Sequence, residues 1–272
     1  MQSSLNIYEN LDIFVIFILM GVFFVAGFID SIAGGGGLIS MPSLLLAGIP
    51  PQYALGTNKF VVIFGTAGAL SNFIRHKKLL YKITFLSIIF SLVGAYIGTK
   101  LILSFDEEKI ASIILFLLPI SALGIFIPKH CTKNTQQDFN ALEMFVYAPL
   151  LSFFMGVYDG FFGPGTGTFL ILCFYLFLQM DLINASASAK ALNLASGLGS
   201  FGAFALSHHV LYMLGIPLII ANILGGYIGS KLAIKRGARI IKIFVILSFA
   251  IMFISLLLKS FSHDGGLLKS FG

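Results

Sequence analysis

The amino-acid sequence predicts an all-α polytopic membrane protein of two tandem, inverted repeats. It has eight full spans plus two short broken or re-entrant helices beside Gly-rich turns. Three observations lead there. Hydrophobic residues make up 58% of the 272-residue chain and charged residues 10%, against about 25% charged in a soluble domain, and mean hydropathy is +0.99. One unusual phrase occurs twice. Gly27-Phe28-Ile29-Asp30, Gly34-Gly35-Gly36-Gly37, Lys59 and Gly94-Ala95-Tyr96-Ile97-Gly98 return as Gly156-Val157-Tyr158-Asp159, Gly163-Pro164-Gly165-Thr166-Gly167, Lys190 and Gly225-Gly226-Tyr227-Ile228-Gly229. The lysine-to-tyrosine interval is 37 residues in both copies. Third, basic residues swap sides between equivalent loops.

Taken in order, the apolar stretches run over about 11–31, 37–49, 53–74, 80–103, 109–127, 142–162, 167–180, 186–207, 210–233 and 239–258. The first follows Glu9 and Asp12 with no Lys or Arg ahead of it, which reads as a retained span and not a cleaved leader. The second and seventh are short, roughly 13 residues where a straight span needs about 20. Each follows a Gly-rich turn, so stretches one and two form a broken element and six and seven its copy. Residues 128–140 form the one polar linker, expected to be cytoplasmic, between repeats at 11–127 and 141–259. Asn140 and Glu143 have the spacing of a capping box opening the sixth stretch. Without Trp, an interfacial aromatic belt falls to Tyr81, Tyr96, Tyr147 and Tyr212. Pro119, Pro149 and Pro217 are expected to kink spans.

Loop charge relates the halves. Arg75, Lys77, Lys78 and Lys82 place the loop after the third stretch in the cytoplasm, while its counterpart at His208-His209 has no Lys or Arg. Conversely, Asp106-Glu107-Glu108-Lys109 is acidic, and its counterpart holds Lys235, Arg236, Arg239 and Lys242. Repeats in one orientation would keep equivalent loops on one side, so five crossings per half with both termini outside fit better. If the two short stretches do not cross, each half has four spans and the repeats become parallel.

Asp30 and Asp159 close the first helix of each repeat, and Lys59 and Lys190 lie inside apolar stretches. Charges at membrane depth are costly and face a partner or an aqueous cavity. Two readings stand: an Asp–Lys ion pair within or between repeats that fixes the assembly, or direct contact with a substrate or coupling proton. Both hold together if a lysine held by an aspartate still presents positive potential to an anion. The glycine turns would bring backbone N–H groups close to a ligand, and helices starting at Leu38 or Thr168 would add the positive ends of their dipoles. Thr166 and Thr168 offer hydroxyls; Thr57, Asn58 and Asn193 bring neutral polar groups to the same depth. Tight helix crossing also explains glycines, and Gly94-x-x-x-Gly98 and Gly225-x-x-x-Gly229 read as helix contacts outright.

Other chemistries are absent from the sequence. It has no Gly-Lys-Ser/Thr phosphate loop, no complete dinucleotide fingerprint, no His-Glu-x-x-His and no Gly-x-Ser-x-Gly elbow. Cys131 and Cys173 form no disulfide framework or metal spacing, and the adjacent His208 and His209 are weak evidence for a metal. The net charge of +6 sits in short loops and sets orientation; it does not point to nucleic acid.

Ala33-Gly34-Gly35-Gly36-Gly37-Leu38 with Pro42, then Gly56-Thr57-Asn58-Lys59, resembles the first half of the TauE/SafE family of sulfite-exporter and sulfonate-permease-like membrane proteins. Tyr158-Asp159-Gly160-Phe161-Phe162-Gly163-Pro164-Gly165-Thr166-Gly167-Thr168, then Ala187-Ser188-Ala189-Lys190 with Asn193, resembles its second half. The resemblance runs from Val22 to Lys235. It implies a multi-pass transporter of the cell inner membrane, with no enzymatic activity and no cofactor, moving small organosulfur or sulfur oxyanions such as sulfite or sulfonates. The partners would be the anion, the bilayer and a coupling proton or cation. Gly34, Gly35, Gly36, Gly37, Asn58, Lys59, Gly163, Gly165, Thr166, Lys190 and Asn193 are its substrate-binding candidates; Asp30 and Asp159 would pair with the lysines or take up coupling protons. Relatives often carry an asparagine where this chain has Gly197, a departure that bears on substrate choice. A non-transporting sensor or scaffold of the same fold is the alternative.

Overall fold

The computed structural model describes residues 12–106, 109–110, 140–237, 239–241 and 243–244. Outside them lie nearly all of the fifth and tenth expected stretches, the linker except Asn140, Pro119 and both termini. Eight helices carry the described chain: α1 (Ile13–Ala33), α2 (Gly37–Leu46), α3 (Pro51–Arg75), α4 (Tyr81–Ile102), α5 (Ala148–Phe161), α6 (Thr166–Leu176), α7 (Leu182–Leu206) and α8 (Tyr212–Arg236).

Local chemistry sets the ends of these helices. The Asp12 carboxylate accepts from Phe14 N at 3.0 Å to start α1, and Asp181 caps α7 by accepting from Ile183 N and Asn184 N. Pro51 opens α3, where its missing N–H is no loss. The expected capping box is present: Asn140 Oδ1 accepts from Glu143 N at 2.8 Å, and Glu143 Oε2 accepts from Asn140 N at 3.0 Å. It leads into a π-turn over Glu143–Tyr147 just ahead of α5, with Pro149 at the start of that helix. The long helices end alike. Lys77 closes α3 with φ 54° and His208 closes α7 with φ 58°, both left-handed. The sequence duplication is therefore a duplication of structure. Lys59 and Lys190 are each the ninth residue of a 25-residue helix, and α4 and α8 start at equivalent tyrosines.

Contacts fix the helix directions. Asn222 Nδ2 donates to Phe23 O at 2.9 Å, and further along Gly229 lies against Phe28 and Ser31, so α1 and α8 are parallel. Leu211 N donates to Thr57 Oγ1, and Asn72 Nδ2 to Ser230 Oγ at 2.8 Å, making α3 parallel to α8. In the other group, Gly156 abuts Ser91 while Thr99 Oγ1 donates to Gly160 O, so α4 and α5 are parallel. Ser91 Oγ donates to Leu192 O, and Gly199 abuts Leu92 and Tyr96, so α7 joins them. Across the middle, Gly56 meets Phe204 and Gly197 meets Ile63, which sets α3 antiparallel to α7. Hence α1, α3 and α8 run one way and α4, α5 and α7 the other. The two Gly-x-x-x-Gly pairs are the helix contacts expected: Gly94 and Gly98 press on α5 backbone, Gly225 and Gly229 on α1 backbone.

Among the described residues, four helical segments, Ile13–Ala33, Tyr81–Ile102, Glu143–Phe161 and Tyr212–Arg236, are long and apolar enough to cross a membrane; α2 and α6 are shorter apolar helices. Helices α3 and α7 are as long as any but carry Asn58, Lys59, Asn72, Asn184, Lys190 and Asn193. They pack on each other inside the bundle, with α8 against α3 and α4 against α7. The apolar helices thus face outward, where Phe14, Phe17, Phe85, Phe154 and Ile220 are exposed, as a surface in lipid requires. Tyr81, Tyr96, Tyr147 and Tyr212 are exposed as well.

Candidate functional site

Where α1 and α5 end, the two repeats exchange charges. Lys59 Nζ stands 2.8 Å from Asp159 Oδ1, and Lys190 Nζ stands 2.7 Å from Asp30 Oδ2. Each lysine takes the aspartate of the other repeat, so the ion pairs expected within or between repeats lie between them. The second oxygen of Asp30 accepts from Gly36 N at 3.4 Å. The settings differ: the Lys190 side chain is 0% exposed, that of Lys59 is 8%.

The glycine turns meet face to face between these pairs. Gly34 and Gly163 have φ of 80° and 94°, values where glycine is the natural residue. A Cβ on Gly34 would overlap the backbone of Gly167, and one on Gly167 would stand 2.6 Å from Gly34 Cα and from Asn193 Nδ2. On Gly163 it would stand 2.8 Å from Lys59 Nζ. Thr168 Oγ1 donates to Ala33 O at 2.8 Å and Ser186 Oγ to Ile32 O, joining α6 and α7 to the end of α1.

These surfaces leave a cavity of about 40 Å³. Asp30, Gly34 and Gly37 line it from the first broken element, and Asp159, Gly163, Thr166 and Gly167 from the second. Helix α3 adds Asn58, Lys59, Val62 and Ile63, and α7 adds Asn193 and Gly197. The space holds a few waters or one small ion, given that a water needs about 10–15 Å³ counted this way. Both short helices begin at it, through Gly37 and Thr166, so the positive ends of two helix dipoles from opposite repeats converge there with Lys59.

Of the residues the sequence singles out, Asp30, Gly34, Gly37, Asn58, Lys59, Asp159, Gly163, Thr166 and Asn193 come together in the lining. Gly35, Gly36, Gly165 and Lys190 stand outside it; Lys190 lies behind Asp30. The hydroxyls of Thr166 and Thr168 donate to Gly163 O and Ala33 O, so both protons are committed to backbone. Thr57 holds the start of α8 through Leu211 N. The helices begin at Gly37 and Thr166, one and two residues ahead of the expected starts. Three contributors carry no polar signal in the sequence: Val62 and Ile63, which read as ordinary core, and Gly197. Outside the lining, Ser40 donates to Asn58 Oδ1 at 2.7 Å and so orients its amide. No group of three or more His, Cys, Asp and Glu that could hold a metal occurs among the described residues.

Residues 19–256 match the family described as Sulfite exporter TauE/SafE. The chain is 38% identical over 242 residues to a probable membrane transporter protein of Haemophilus influenzae, covering 88% of this chain and 94% of that one. It is 37% identical over 229 residues to the probable membrane transporter protein ORF9 of a Sinorhizobium species, covering 84% and 87%. To the probable membrane transporter protein YfcA of Escherichia coli it is 33% identical over 252 residues, covering 91% and 93%. No solved structure gives a significant match.

Proposed function

The chain belongs to the TauE/SafE family, and on that premise we propose that it is a secondary transporter, exporter or permease, of a small sulfur oxyanion such as sulfite or a short sulfonate. It is a multi-pass membrane transporter and not an enzyme. The observation that carries the substrate class is the convergence of two short helices and Lys59 on one small cavity between the repeats. Anionic groups are favoured at helix N-termini and near a lysine, and broken helices facing a midplane site recur in secondary transporters. Asn58, Asn193, Gly34, Gly37, Gly163 and Thr166 complete the binding surface. Gly35, Gly36 and Gly165 shape the turns, and Lys190 acts through Asp30. Asp159, paired with Lys59 at the cavity, is the candidate for proton or cation coupling.

The architecture in this reading is two inverted repeats, 11–127 and 141–259, joined by a cytoplasmic linker at 128–140, in the cell inner membrane. Besides the eight full spans, α2 and α6 carry the chain back between the parallel helices α1 and α3 and the parallel helices α5 and α7, so that each half crosses five times. Opposed directions of α1 and α5, α3 and α7, and α4 and α8 support the inversion. Charge supports it independently: since α3 and α8 are parallel, Arg75, Lys77 and Lys78 share one end with Lys235 and Arg236, which the positive-inside rule makes cytoplasmic. His208, His209 and Asp106 fall at the other end. Alternating access would come from one repeat moving against the other.

Flux of sulfite, thiosulfate and small sulfonates into proteoliposomes, with and without a pH gradient, tests the proposal. Saturable, gradient-dependent flux of one of them is the expected result. No flux for any, from folded protein, would overturn the sulfur-anion reading and favour a sensor or scaffold.

A further inference from the structure

A buried hydroxyl that does not reach the cavity bears on how the cavity binds. Ser40 of α2 is 0% exposed and stands outside the lining. Its Oγ lies 2.7 Å from Asn58 Oδ1 and 3.3 Å from Gly36 O. A hydroxyl has one proton, and the shorter distance, the usual one for O–H···O, assigns it to Asn58. Asn58 lines the cavity from α3 beside Lys59. With Oδ1 taken by Ser40, its amide turns the Nδ2 side away from α2. Among the described residues Nδ2 has no hydrogen-bond partner, and it is not one of the buried unpaired atoms, so it keeps accessible surface. Set this way, the amide offers an anion N–H donors; turned over, it would offer a carbonyl oxygen that repels one.

The second observation is that this pair belongs to one repeat alone. Asn58 corresponds to Ala189, and the stretch of α6 that matches Ser40, Phe169-Leu170-Ile171, holds no hydroxyl. The second copy of the scaffold folds without such a pair, so the fold does not demand it. A polar pair kept at membrane depth beyond the needs of the fold points to a role at the site. We infer that Ser40 is a positioning residue: it holds the Asn58 amide with its NH2 group toward the bound anion and does not touch the anion itself. The inference rests on the anion-transport reading above. The same bond ties α2, whose N-terminus meets the cavity, to α3, so the amide donor and the helix end keep a fixed relation.

The test is the saturation curve of anion flux into proteoliposomes holding the full chain, with sulfite, thiosulfate and methanesulfonate as probes. Ser40→Ala should raise the half-saturating concentration about fivefold and leave maximal flux within about twofold of wild type, as loss of uniform binding does. Ser40→Cys, close in size but a weak donor, should behave alike and so separate the hydrogen bond from side-chain volume. A double-mutant cycle separates positioning from packing. In an Asn58→Ala or Asn58→Leu background, either of which suffices, Ser40→Ala should add nothing. Wild-type half-saturation in Ser40→Ala or in Ser40→Cys, or a loss confined to maximal flux, would overturn the inference and leave the anion reading intact. The same loss in the Asn58 backgrounds would trace the effect to packing of α2 and overturn it as well. No saturable flux of any probe by the wild-type chain would overturn both readings.

Discussion

Lys59–Asp159 and Lys190–Asp30 are the same ion pair made twice, at equivalent places in two copies of one fold, with nearly equal lengths of 2.8 and 2.7 Å. Their surroundings are unlike. Lys190 is fully buried, and Asp30 is held on its other side by Gly36 N. Lys59 reaches the cavity beside Asp159. The neighbours diverge too: Asn58 on α3 corresponds to Ala189 on α7, and Asn193 on α7 corresponds to Val62 on α3. Duplication supplies the scaffold and its symmetry. Substitutions around it make one pair a brace and the other part of a site.

That contrast breaks most completely at the turns. Gly34→Ala combines a left-handed backbone with overlap onto Gly167 backbone, which cannot yield. The expected outcome is loss of folded protein on size-exclusion chromatography of the detergent extract. Gly163→Ala carries the same left-handed backbone strain at φ 94° but meets chiefly the flexible end of Lys59, so it should destabilise less than Gly34→Ala and lose flux. Next come the lysines. Lys190→Met leaves the largely buried Asp30 unpaired and should lower unfolding stability by about 3–5 kcal/mol. Adding Asp30→Asn should restore most of it. Lys59→Met leaves Asp159 unpaired at the same cavity, 9% exposed against 14% for Asp30, so it should cost a similar amount of stability and in addition abolish anion flux. Thermal melts alongside flux assays separate the two.

A smaller effect is expected where the repeats interlock away from the site. Asn72 donates to Ser230 Oγ and Tyr227 O, and Asn72→Ala should cost about 1–2 kcal/mol in a denaturant titration without changing substrate preference. Smallest of all are the matched left-handed residues ending α3 and α7. Lys77→Gly and His208→Gly should each stabilise by up to about 1 kcal/mol, and by similar amounts, because glycine relieves the same backbone penalty at both. Unequal effects would mark a difference between the repeats that their backbones do not display.

The fold was largely legible because lipid enforces it: apolar stretches of spanning length, broken by glycine turns, gave the eight described helices to within a few residues. The repeat gave the two aspartates, the two lysines and the turns. Which aspartate meets which lysine was not legible, since Asp30 and Lys59 are as close in sequence as Asp159 and Lys190, and only packing of the repeats crosses the pairs. Nor could sequence seal Lys190 away, a result of how α7 sits against α1. Val62 and Ile63 escaped notice because an apolar cavity wall and an apolar core use the same residues. Thr168 was expected among ligand donors, but its hydroxyl found Ala33 O at the repeat interface.

The central claim is that the cavity at Lys59 and Asp159 carries the substrate while Lys190 and Asp30 hold the repeats together. Its most direct test is sulfite flux in proteoliposomes for two charge-free pairs, Lys59→Met with Asp159→Asn and Lys190→Met with Asp30→Asn, both shown to be folded. The account predicts that the first pair loses flux and the second keeps most of it. Wild-type flux from the first pair would contradict it.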